Sequence, residues 1–464
     1  MATVRTLKKA AVVNPLKMSQ PLGGALAFMG VAGAMPLFHG SQGCTSFALV
    51  LLVRHFKEAI PLQTTAMSEV ATILGGYENV EAAVSNIAAR AQPALIGICS
   101  TGVTETKGDD LEGFVRLIRQ NRPDLDPIAL VPVNTPDFSG SHTDGWVATC
   151  LALVKHLVEA PEGPRDPARI NVWAGPHLTP GDIDELRDVI ESFGLDPLFV
   201  PDLSGSLDGH VPEDFTPTTL GGARVDDVRA MGRAAHSIAI GASMRPVAAA
   251  IDAKTGASTA CFDSATGLAA MDALIGHLAA ISGRPVPNRL RRQRGQLVDA
   301  MLDGHFHFGR KRIAVALEPD LLFAVSGLFA SLGAQIVAAV TTTASPLNAQ
   351  VPADEILIGD LEDFETAADA GDADLLVSHA HARQAAERLD LPLLRLGLPI
   401  FDRLGAGHRV CVGYRGARDL IFEIANIFMA RIHEPTPQDW PLLSGPQKSA
   451  PDLPLFAEAG AALQ

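Results

Sequence analysis

Residues 170–202 read INVWAGPHLTPGDIDELRDVIESFGLDPLFVPD, and this stretch decides the fold. The short apolar run at 170–175 predicts a strand, and the run at 195–202 predicts a second one. Between them the spacing predicts a helix, with Thr179 as its N-cap and Gly194 as the residue that ends it. A strand, a helix and another strand in close succession form a βαβ unit, which builds a parallel sheet.

The same alternation continues on both sides of this unit. Apolar runs at 93–101 and 127–136 enclose a helical pattern of Leu111, Phe114, Val115 and Ile118. Further strands are predicted at 237–243, 311–320, 334–340, 355–360 and 373–379. An α/β protein with three Rossmann-like, doubly wound domains and parallel sheets is therefore expected.

Segments rich in proline and glycine at 159–169 and 282–288 predict the domain boundaries. The expected units are an N-terminal domain over 1–160, a second Rossmann-like domain over 161–288 and a third over 289–464. The third unit ends in a Pro-rich tail from Pro435, which is expected on the surface or partly disordered.

The composition limits the function. The chain has 464 residues, 47% of them hydrophobic, and a net charge of −15, which argues against binding to a nucleic-acid backbone. Five scattered cysteines without a CxxC pair predict a reducing compartment rather than a disulfide framework. The apolar stretch 321–340 is long enough to span a membrane, but Gly333 divides it into a helix and a strand. A soluble, cytoplasmic protein is expected.

Common catalytic motifs are absent from the sequence. No GxGxxG follows a predicted strand, and no GxxxxGK[ST], HExxH or GxSxG occurs. Dinucleotide binding, ATP hydrolysis by this chain and serine-hydrolase chemistry therefore have no support. Alternating histidines in HFHFG (305–309) and SHAHA (378–382) are interpreted as ordinary loop or strand-end residues.

One short turn, HGSQGC at 39–44, ends in a cysteine that follows two glycines, Gly40 and Gly43. Cys44 is a candidate nucleophile, metal ligand or inert thiol, and the residues alone leave all three open. Four nearby residues are expected to supply positive potential to a thiolate: His39, Arg54, His55 and Lys57. A single thiolate cannot hold an iron–sulfur cluster, which takes about four ligands, so any further ligands must come from elsewhere.

This turn, followed by RHFKEAI at 54–60, resembles the nitrogenase component 1 β-subunit family. The resemblance covers nearly the whole chain and extends to NPLKMSQPLGG (14–24), TGVTETKGDD (101–110), NTPDFSGSHTDGW (134–146), HLTPGDIDELRD (177–188) and GLPIFDRLG (397–405). In catalytic members of the family, three motifs each carry a cysteine that ligates the P-cluster at the subunit interface. Here Ser19 and Gly102 stand at two of those positions and only Cys44 remains.

That departure argues against a P-cluster and is similar to the family members that act as a scaffold for cofactor assembly. The resemblance implies a [4Fe–4S] cluster shared with a NifE-like partner subunit, with Cys44 as the ligand of this chain and three cysteines from the partner. Because Ser19 and Gly102 are smaller than cysteine and carry no thiolate, they are expected to leave more room beside the cluster and less negative charge. The other four cysteines are expected to be core thiols.

Three further residues are candidates for contact with the cluster. Gln42 and Gly43, together with Thr45, are expected to direct backbone donors toward the sulfur. Asp137 stands where related catalytic subunits carry a serine beside the cluster, which implies a cluster neighbour or hydrogen-bond anchor. The alternative for Asp137 is a residue that only shapes its turn.

The resemblance implies maturation of the iron–molybdenum cofactor, in which a precursor, held mainly by the partner, exchanges iron for molybdenum and receives homocitrate. The implied partners are the NifE-like subunit in an α₂β₂ heterotetramer, the nitrogenase iron protein, and apo-nitrogenase as acceptor. The chain would then be a scaffold with an electron-relay role rather than a stand-alone enzyme. Two alternatives are a catalytic subunit of a nitrogenase-like reductase, such as the dark protochlorophyllide reductase, and a metal-free structural subunit.

Overall fold

A computed structural model describes residues 2–431 of the chain, apart from 8, 10 and 162. The predicted Pro-rich tail from Pro435 lies outside the described residues. The strands are β1 (Thr3–Thr6), β2 (Ala34–His39), β3 (Gln63–Thr64), β4 (Leu95–Ser100), β5 (Ala129–Val133), β6 (Asp166–Ala174), β7 (Asp196–Val200), β8 (Ala234–Ile240), β9 (Thr259–Phe262), β10 (Arg312–Ala316), β11 (Gln335–Thr341), β12 (Glu355–Ile358), β13 (Leu375–Ser378) and β14 (Leu393–Arg395).

The strands alternate with helices along the chain. The helices are α1 (Gln20–Met29), α2 (Gln42–Phe56), α3 (Glu69–Leu74), α4 (Tyr77–Ala91), α5 (Gly102–Lys107), α6 (Leu111–Asn121), α7 (His142–His156), α8 (Pro180–Glu191), α9 (Val225–Arg229), α10 (Arg245–Thr255), α11 (Leu268–Ser282), α12 (Asn288–Phe308), α13 (Pro319–Ser331), α14 (Leu361–Ala370), α15 (Arg383–Leu389) and α16 (Gly413–Met429).

The strands form three parallel sheets. The first has the order β3-β2-β4-β5, the second β7-β6-β8-β9 and the third β1-β12-β11-β10-β13-β14. Each sheet is crossed by helices that connect its strands, because parallel neighbours need a long connection. The predicted α/β class with three doubly wound sheets is confirmed.

One strand lies in a different sheet from the one its position in the chain suggests. β1 belongs to the stretch predicted as the N-terminal domain, yet it pairs in parallel with β12 of the third sheet. The Lys9 ammonium strengthens this attachment through contacts with Asp360 at 3.0 Å, Glu362 at 3.1 Å and Asp363 at 2.6 Å. The N-terminal arm therefore completes the third sheet, while the predicted domain boundaries stay a prediction.

The βαβ unit at 170–202 forms as predicted, with β6, α8 and β7. Thr179 Oγ1 accepts a hydrogen bond from the Asp182 amide at 3.0 Å, and the Asp182 carboxylate accepts one from the Thr179 amide at 3.0 Å. This reciprocal pair satisfies two amides that the first turn of a helix leaves without acceptors. Gly194 follows with φ of +70°, a conformation that ends the helix and favours glycine.

The apolar stretch 321–340 is also divided as predicted. α13 ends at Ser331, Gly333 has φ of +89°, and β11 begins at Gln335. No helix in the described ranges is both long and apolar enough to cross a bilayer.

Buried carboxylates connect the three sheets where they meet. Asp182, at the start of α8, accepts hydrogen bonds from the amides of Cys411 at 2.6 Å and Val412 at 3.1 Å. Asp320, at the start of α13, accepts one from the Ser243 hydroxyl at 2.5 Å. These hydrogen bonds join the second sheet to the third. In each case the acceptor is a carboxylate in the first turn of a helix, α8 or α13.

Candidate metal centre

Three of the predicted site positions follow neighbouring strands of the first sheet. Cys44 comes after β2, Gly102 after β4 and Asp137 after β5, and these strands are adjacent and parallel. The carboxyl ends of parallel strands share one edge of a sheet, which is where such folds bind ligands. Residues that lie 93 positions apart at their extremes are thereby brought to one edge.

The fourth position, Ser19, reaches the same region through α1. Ser19 is the exposed residue that precedes this helix. The side-chain amide of the next residue, Gln20, donates a hydrogen bond to the Ser139 carbonyl at 3.0 Å. Ser139 and Asp137 belong to the same loop after β5, so all four predicted positions lie at this end of the sheet.

The turn that carries Cys44 is held in place by His39, the last residue of β2. The buried His39 ring lies 3.1 Å from Thr65 Oγ1 and 3.0 Å from Asp109 Oδ2. The backbone carbonyl of His39 accepts hydrogen bonds from the hydroxyls of Thr101 at 2.9 Å and Thr104 at 3.1 Å. These contacts fix the turn against the start of α5, where Gly102 lies.

The next residue, Gly40, explains why this turn needs glycine. A Cβ on Gly40 would lie 2.3 Å from Thr101 Oγ1, closer than any packed side chain tolerates. The two loops can approach each other only because this position has no side chain.

Cys44 is the third residue of α2 and is half-buried. The Ser41 hydroxyl lies 3.7 Å from its sulfur. Gln42 and Gly43 form the exposed beginning of the helix, where the first amides have no helical acceptor and the helix dipole favours negative charge. Thr45 is buried, and its hydroxyl has no hydrogen-bond partner in the described part of the chain.

The prediction that four nearby basic residues supply positive potential to Cys44 is wrong. Burial lowers the pKa of His39, and it lowers the pKa of His55 to about 4, so both rings are neutral near pH 7. Arg54 and Lys57 lie at the far end of α2, about 15 Å and about 20 Å along the helix axis from Cys44. The Arg54 guanidinium stacks over the Phe401 ring at 4.0 Å instead.

The room expected at Gly102 is filled. An ideal Cβ built on Gly102 would lie 2.0 Å from Asp137 Oδ1 and 2.8 Å from its Cγ. The Asp137 carboxylate therefore occupies the space where a cysteine side chain at position 102 would begin. The negative charge expected to be lost with a third thiolate is retained, on oxygen instead of sulfur.

Exposed apolar side chains surround this edge of the sheet. Phe47 and Val50 of α2 are 68% and 52% exposed, and Phe138, next to Asp137, is 65% exposed. Val103 of α5 and Ile73 of α3 are exposed as well. A patch of this kind around a polar centre is typical of a surface that another protein covers.

Three of the other four cysteines are core residues, as predicted, and Cys261 packs against the core while remaining half-buried. Cys99, Cys150 and Cys411 are buried, and burial raises the pKa of each thiol. Cys261 is half-buried in β9, and burial raises the pKa of its thiol too. A raised pKa makes each of these thiols a poorer nucleophile than an exposed cysteine.

The alternating histidines do not form a metal site. The buried His379 ring contacts the Leu16 carbonyl at 3.0 Å and the His381 amide at 3.3 Å, so both of its nitrogens are occupied. Within the described ranges no group of three or more His, Cys, Asp or Glu side chains is placed to hold a metal ion. A cluster at Cys44 would therefore need its other ligands from outside the described residues.

Thiol labelling of the native chain tests these assignments. We expect an aromatic disulfide reagent to modify Cys44 readily and Cys261 partially, and to leave Cys99, Cys150 and Cys411 unmodified until the protein unfolds, because those three are at most 4% exposed. Mass spectrometry of the labelled peptides measures this. Labelling of Cys99 before Cys44 would contradict the assignment.

Comparisons with known proteins agree with this geometry. The family model of nitrogenase component 1 type oxidoreductases matches residues 19–429. A relative from Bradyrhizobium diazoefficiens, named nitrogenase iron-molybdenum cofactor biosynthesis protein NifN, is 57% identical over 98% of this chain and 96% of its own length. A NifN protein from Klebsiella pneumoniae is 40% identical over 97% of this chain and 98% of its own.

A solved structure has the same fold. One chain of the nitrogenase Cp1 structure at pH 6.5 superposes with a TM-score of 0.86 and 30% sequence identity, and the match covers 92% of this chain and 95% of that one.

Proposed function

Because this chain belongs to the nitrogenase component 1 type oxidoreductase family, and within it to the NifN proteins, we propose that it is one subunit of the scaffold that matures the iron–molybdenum cofactor from an iron–sulfur precursor. The observation that carries the proposal is the composition of the sheet edge. Cys44 is there, while Ser19 and Gly102 stand at the other two cysteine positions of the catalytic subunits. An edge with one thiol suits a shared cluster better than a complete P-cluster.

Cys44 is proposed as one of four ligands to a [4Fe–4S] cluster, with the other three cysteines supplied by a NifE-like subunit. The donor chemistry fits, since a half-buried thiol at a helix start can present a thiolate to a cluster. The apolar side chains around it would be covered by the same partner that completes the ligand set. When bound, such a cluster supplies one-electron transfer.

The residues around Cys44 have separate tasks in this proposal. The free amides at Gln42 and Gly43 favour negative charge on the sulfur by hydrogen bonding and by the helix dipole. The His39 contacts hold the turn, so that the sulfur keeps its position when the partner docks. Phe47 and Val50 exclude water once they are covered, which lowers the local dielectric.

Asp137 is proposed as an anionic neighbour of the cluster, because its carboxylate takes the position of a third cysteine side chain. Asp137→Ala should leave the iron content unchanged and raise the midpoint potential by tens of millivolts, on the order expected for removing one nearby charge. Redox titration followed by EPR measures the shift. Asp110→Ala, which removes a carboxylate with 66% exposure, is the control. A lower potential, or loss of iron, in Asp137→Ala would contradict the assignment.

The assembly proposed is an α₂β₂ heterotetramer with the NifE-like subunit in the cytoplasm. The precursor is bound mainly by the partner, and this chain contributes a wall of its path and an electron relay, not a catalytic site of its own. The nitrogenase iron protein brings molybdenum, homocitrate and electrons, and apo-nitrogenase receives the product. The absence of a GxxxxGK[ST] motif in this sequence supports leaving ATP to the iron protein.

A maturation assay tests the proposed function. The complex with its partner, loaded with precursor and mixed with iron protein, ATP, molybdate and homocitrate, should activate apo-nitrogenase. Reactions without molybdate or without iron protein serve as controls and should give no activation. A precursor-loaded complex that fails to activate, while a known scaffold succeeds under the same conditions, would refute the proposal.

A further inference from the structure

A second concave region lies at the opposite end of α2 from Cys44. It is a cleft of about 810 Å³, lined by the residues after α2, by α4, by the loop at 206–220 and by the segment at 404–408. The cleft thus receives residues from chain segments associated with all three sheets. Along α2 it is separated from Cys44 by about 20 Å, so it is not part of the cluster site.

The rim of this cleft is unusually apolar for exposed surface. Val211 is 91% exposed, Leu404 86% and Phe215 85%, and these are the three most exposed large hydrophobic side chains in the described part of the chain. All three line the same cleft, although they come from two different segments. Exposed apolar groups gathered around a concavity favour an occupant with an apolar body.

The charges that line the cleft have the opposite sign to the chain as a whole. Lys57 and Arg90 are exposed there, and neither forms an ion pair within the described ranges. Among the described residues, the Lys57 ammonium donates a hydrogen bond to the Phe401 carbonyl, at 3.5 Å, and to no other group. In a protein with a net charge of −15, two free cations in a cleft create a local site for an anion.

The carboxyl group of Glu58 balances these cations only in part. Glu58 is the one acidic residue among the described residues that line the cleft. Burial raises the pKa of this carboxyl group, and a hydrogen bond from the Gly209 backbone opposes that shift. Lys57 also has φ of +65°, a left-handed conformation that a lysine adopts at some cost.

We propose that this cleft binds a small organic anion with an apolar body, whose acidic group contacts Lys57 and Arg90 and whose body packs against Phe215, Val211 and Leu404. The volume is within the range of about 300–1,000 Å³ that small-molecule sites occupy. An inorganic anion would use the two cations but leave the apolar rim exposed. The cleft would therefore discriminate organic carboxylates or sulfonates from phosphate.

Fluorescence titration with 8-anilinonaphthalene-1-sulfonate, an apolar anion, tests the proposal on the purified complex with its partner. We expect saturable binding that naphthoate displaces and that naphthalene methanol, a neutral analogue, displaces poorly. Phe215→Ala and the double variant Lys57→Ala/Arg90→Ala should each weaken binding about tenfold, equivalent to about 1.4 kcal/mol. Thermal melts confirm that the variants are folded.

Two matched variants control for unspecific binding of the probe. Phe306→Ala removes a phenylalanine of similar exposure, 83%, on α12, and Arg291→Ala removes an exposed arginine of the same helix. Both should leave the affinity unchanged. The proposal is overturned if these controls weaken binding as much as the cleft variants do, if the complex binds no probe, or if inorganic phosphate displaces the probe as well as naphthoate does.

Discussion

The Cys44→Ala complex should lose nearly all the iron of the proposed interfacial cluster together with its EPR signal. A [4Fe–4S] cluster takes about four protein ligands, and the loss of one leaves an iron open to solvent at a surface meant to be covered. No other cysteine of the described chain can replace the missing ligand, because Cys99, Cys150 and Cys411 are buried and Cys261 lies in the second sheet. Iron analysis and EPR of the reduced complex measure the outcome.

Two further variants separate loss of a ligand from loss of structure. Cys261→Ala removes a thiol of comparable burial and should keep the full iron content and signal. Cys44→Ser, which retains an oxygen donor, should keep part of the iron with an altered EPR line shape. Gel filtration should show the heterotetramer in every case. A full [4Fe–4S] signal in Cys44→Ala would refute the ligand assignment. It would favour the alternative in which this chain is a structural subunit that supplies no metal ligand.

The sequence predicted those parts of the fold that local rules decide. The unit at 170–202 has a capping box around Thr179 and a left-handed glycine at 194, and both form as expected because the capping hydrogen bonds and the glycine conformation are set by adjacent residues. The meeting of Cys44, Gly102 and Asp137 at one sheet edge also follows, since each comes directly after a strand of a parallel sheet. Resemblance to a family identified which of these residues to follow.

The wrong predictions for His39 and His55 concern the burial of their rings, which closeness to Cys44 along the sequence does not indicate. His39 and His55 lie close to Cys44 along the chain, but one ring is enclosed by Thr65 and Asp109 and the other accepts a hydrogen bond from the Ile400 amide. Asp109 was the missed residue of this site. Its position in the TGVTETKGDD motif was the available signal, yet its partner, His39, lies 70 residues away.

Long-range carboxylates are the other feature that sequence patterns did not predict. Glu318 is the residue before α13, and from sequence position alone it would be predicted only to form a turn or to cap the helix. Its carboxylate accepts hydrogen bonds from the hydroxyls of Ser141 and Thr143, each at 2.8 Å, across more than 170 residues of chain. The His142 ring lies 3.3 Å from the other oxygen. One glutamate, which follows β10 of the third sheet, thus contacts the start of α7, the helix that follows β5 of the first sheet.

Glu318→Ala should therefore destabilise the protein strongly. The glutamate side chain is only 14% exposed, and its removal leaves the Ser141 and Thr143 hydroxyls without their acceptor and the buried His142 ring without the carboxylate beside it. Loss of one partner of a buried charged cluster costs about 3–5 kcal/mol, which corresponds to a fall in Tm of roughly 3–5 °C for a chain of this size. Calorimetry of the complex measures the change. Glu387→Ala, which removes an exposed glutamate from a surface ion pair, should change stability by at most about 0.5 kcal/mol.

The pH dependence of Glu318→Gln distinguishes the charge from the shape. Burial alone would raise the pKa of Glu318, but the His142 ring and the hydroxyl donors outweigh it and hold the pKa below its usual value. A depressed folded-state pKa gives stability that is complete above the unfolded pKa of about 4.3 and is lost as the pH falls through the lower folded value. The gap in Tm between wild type and Glu318→Gln should therefore be fully present at about pH 5–6 and narrow only below about pH 4, as the carboxylate takes up a proton. A gap that stays unchanged from about pH 6 down to about pH 3 would show that Glu318 does not act as a carboxylate at this junction.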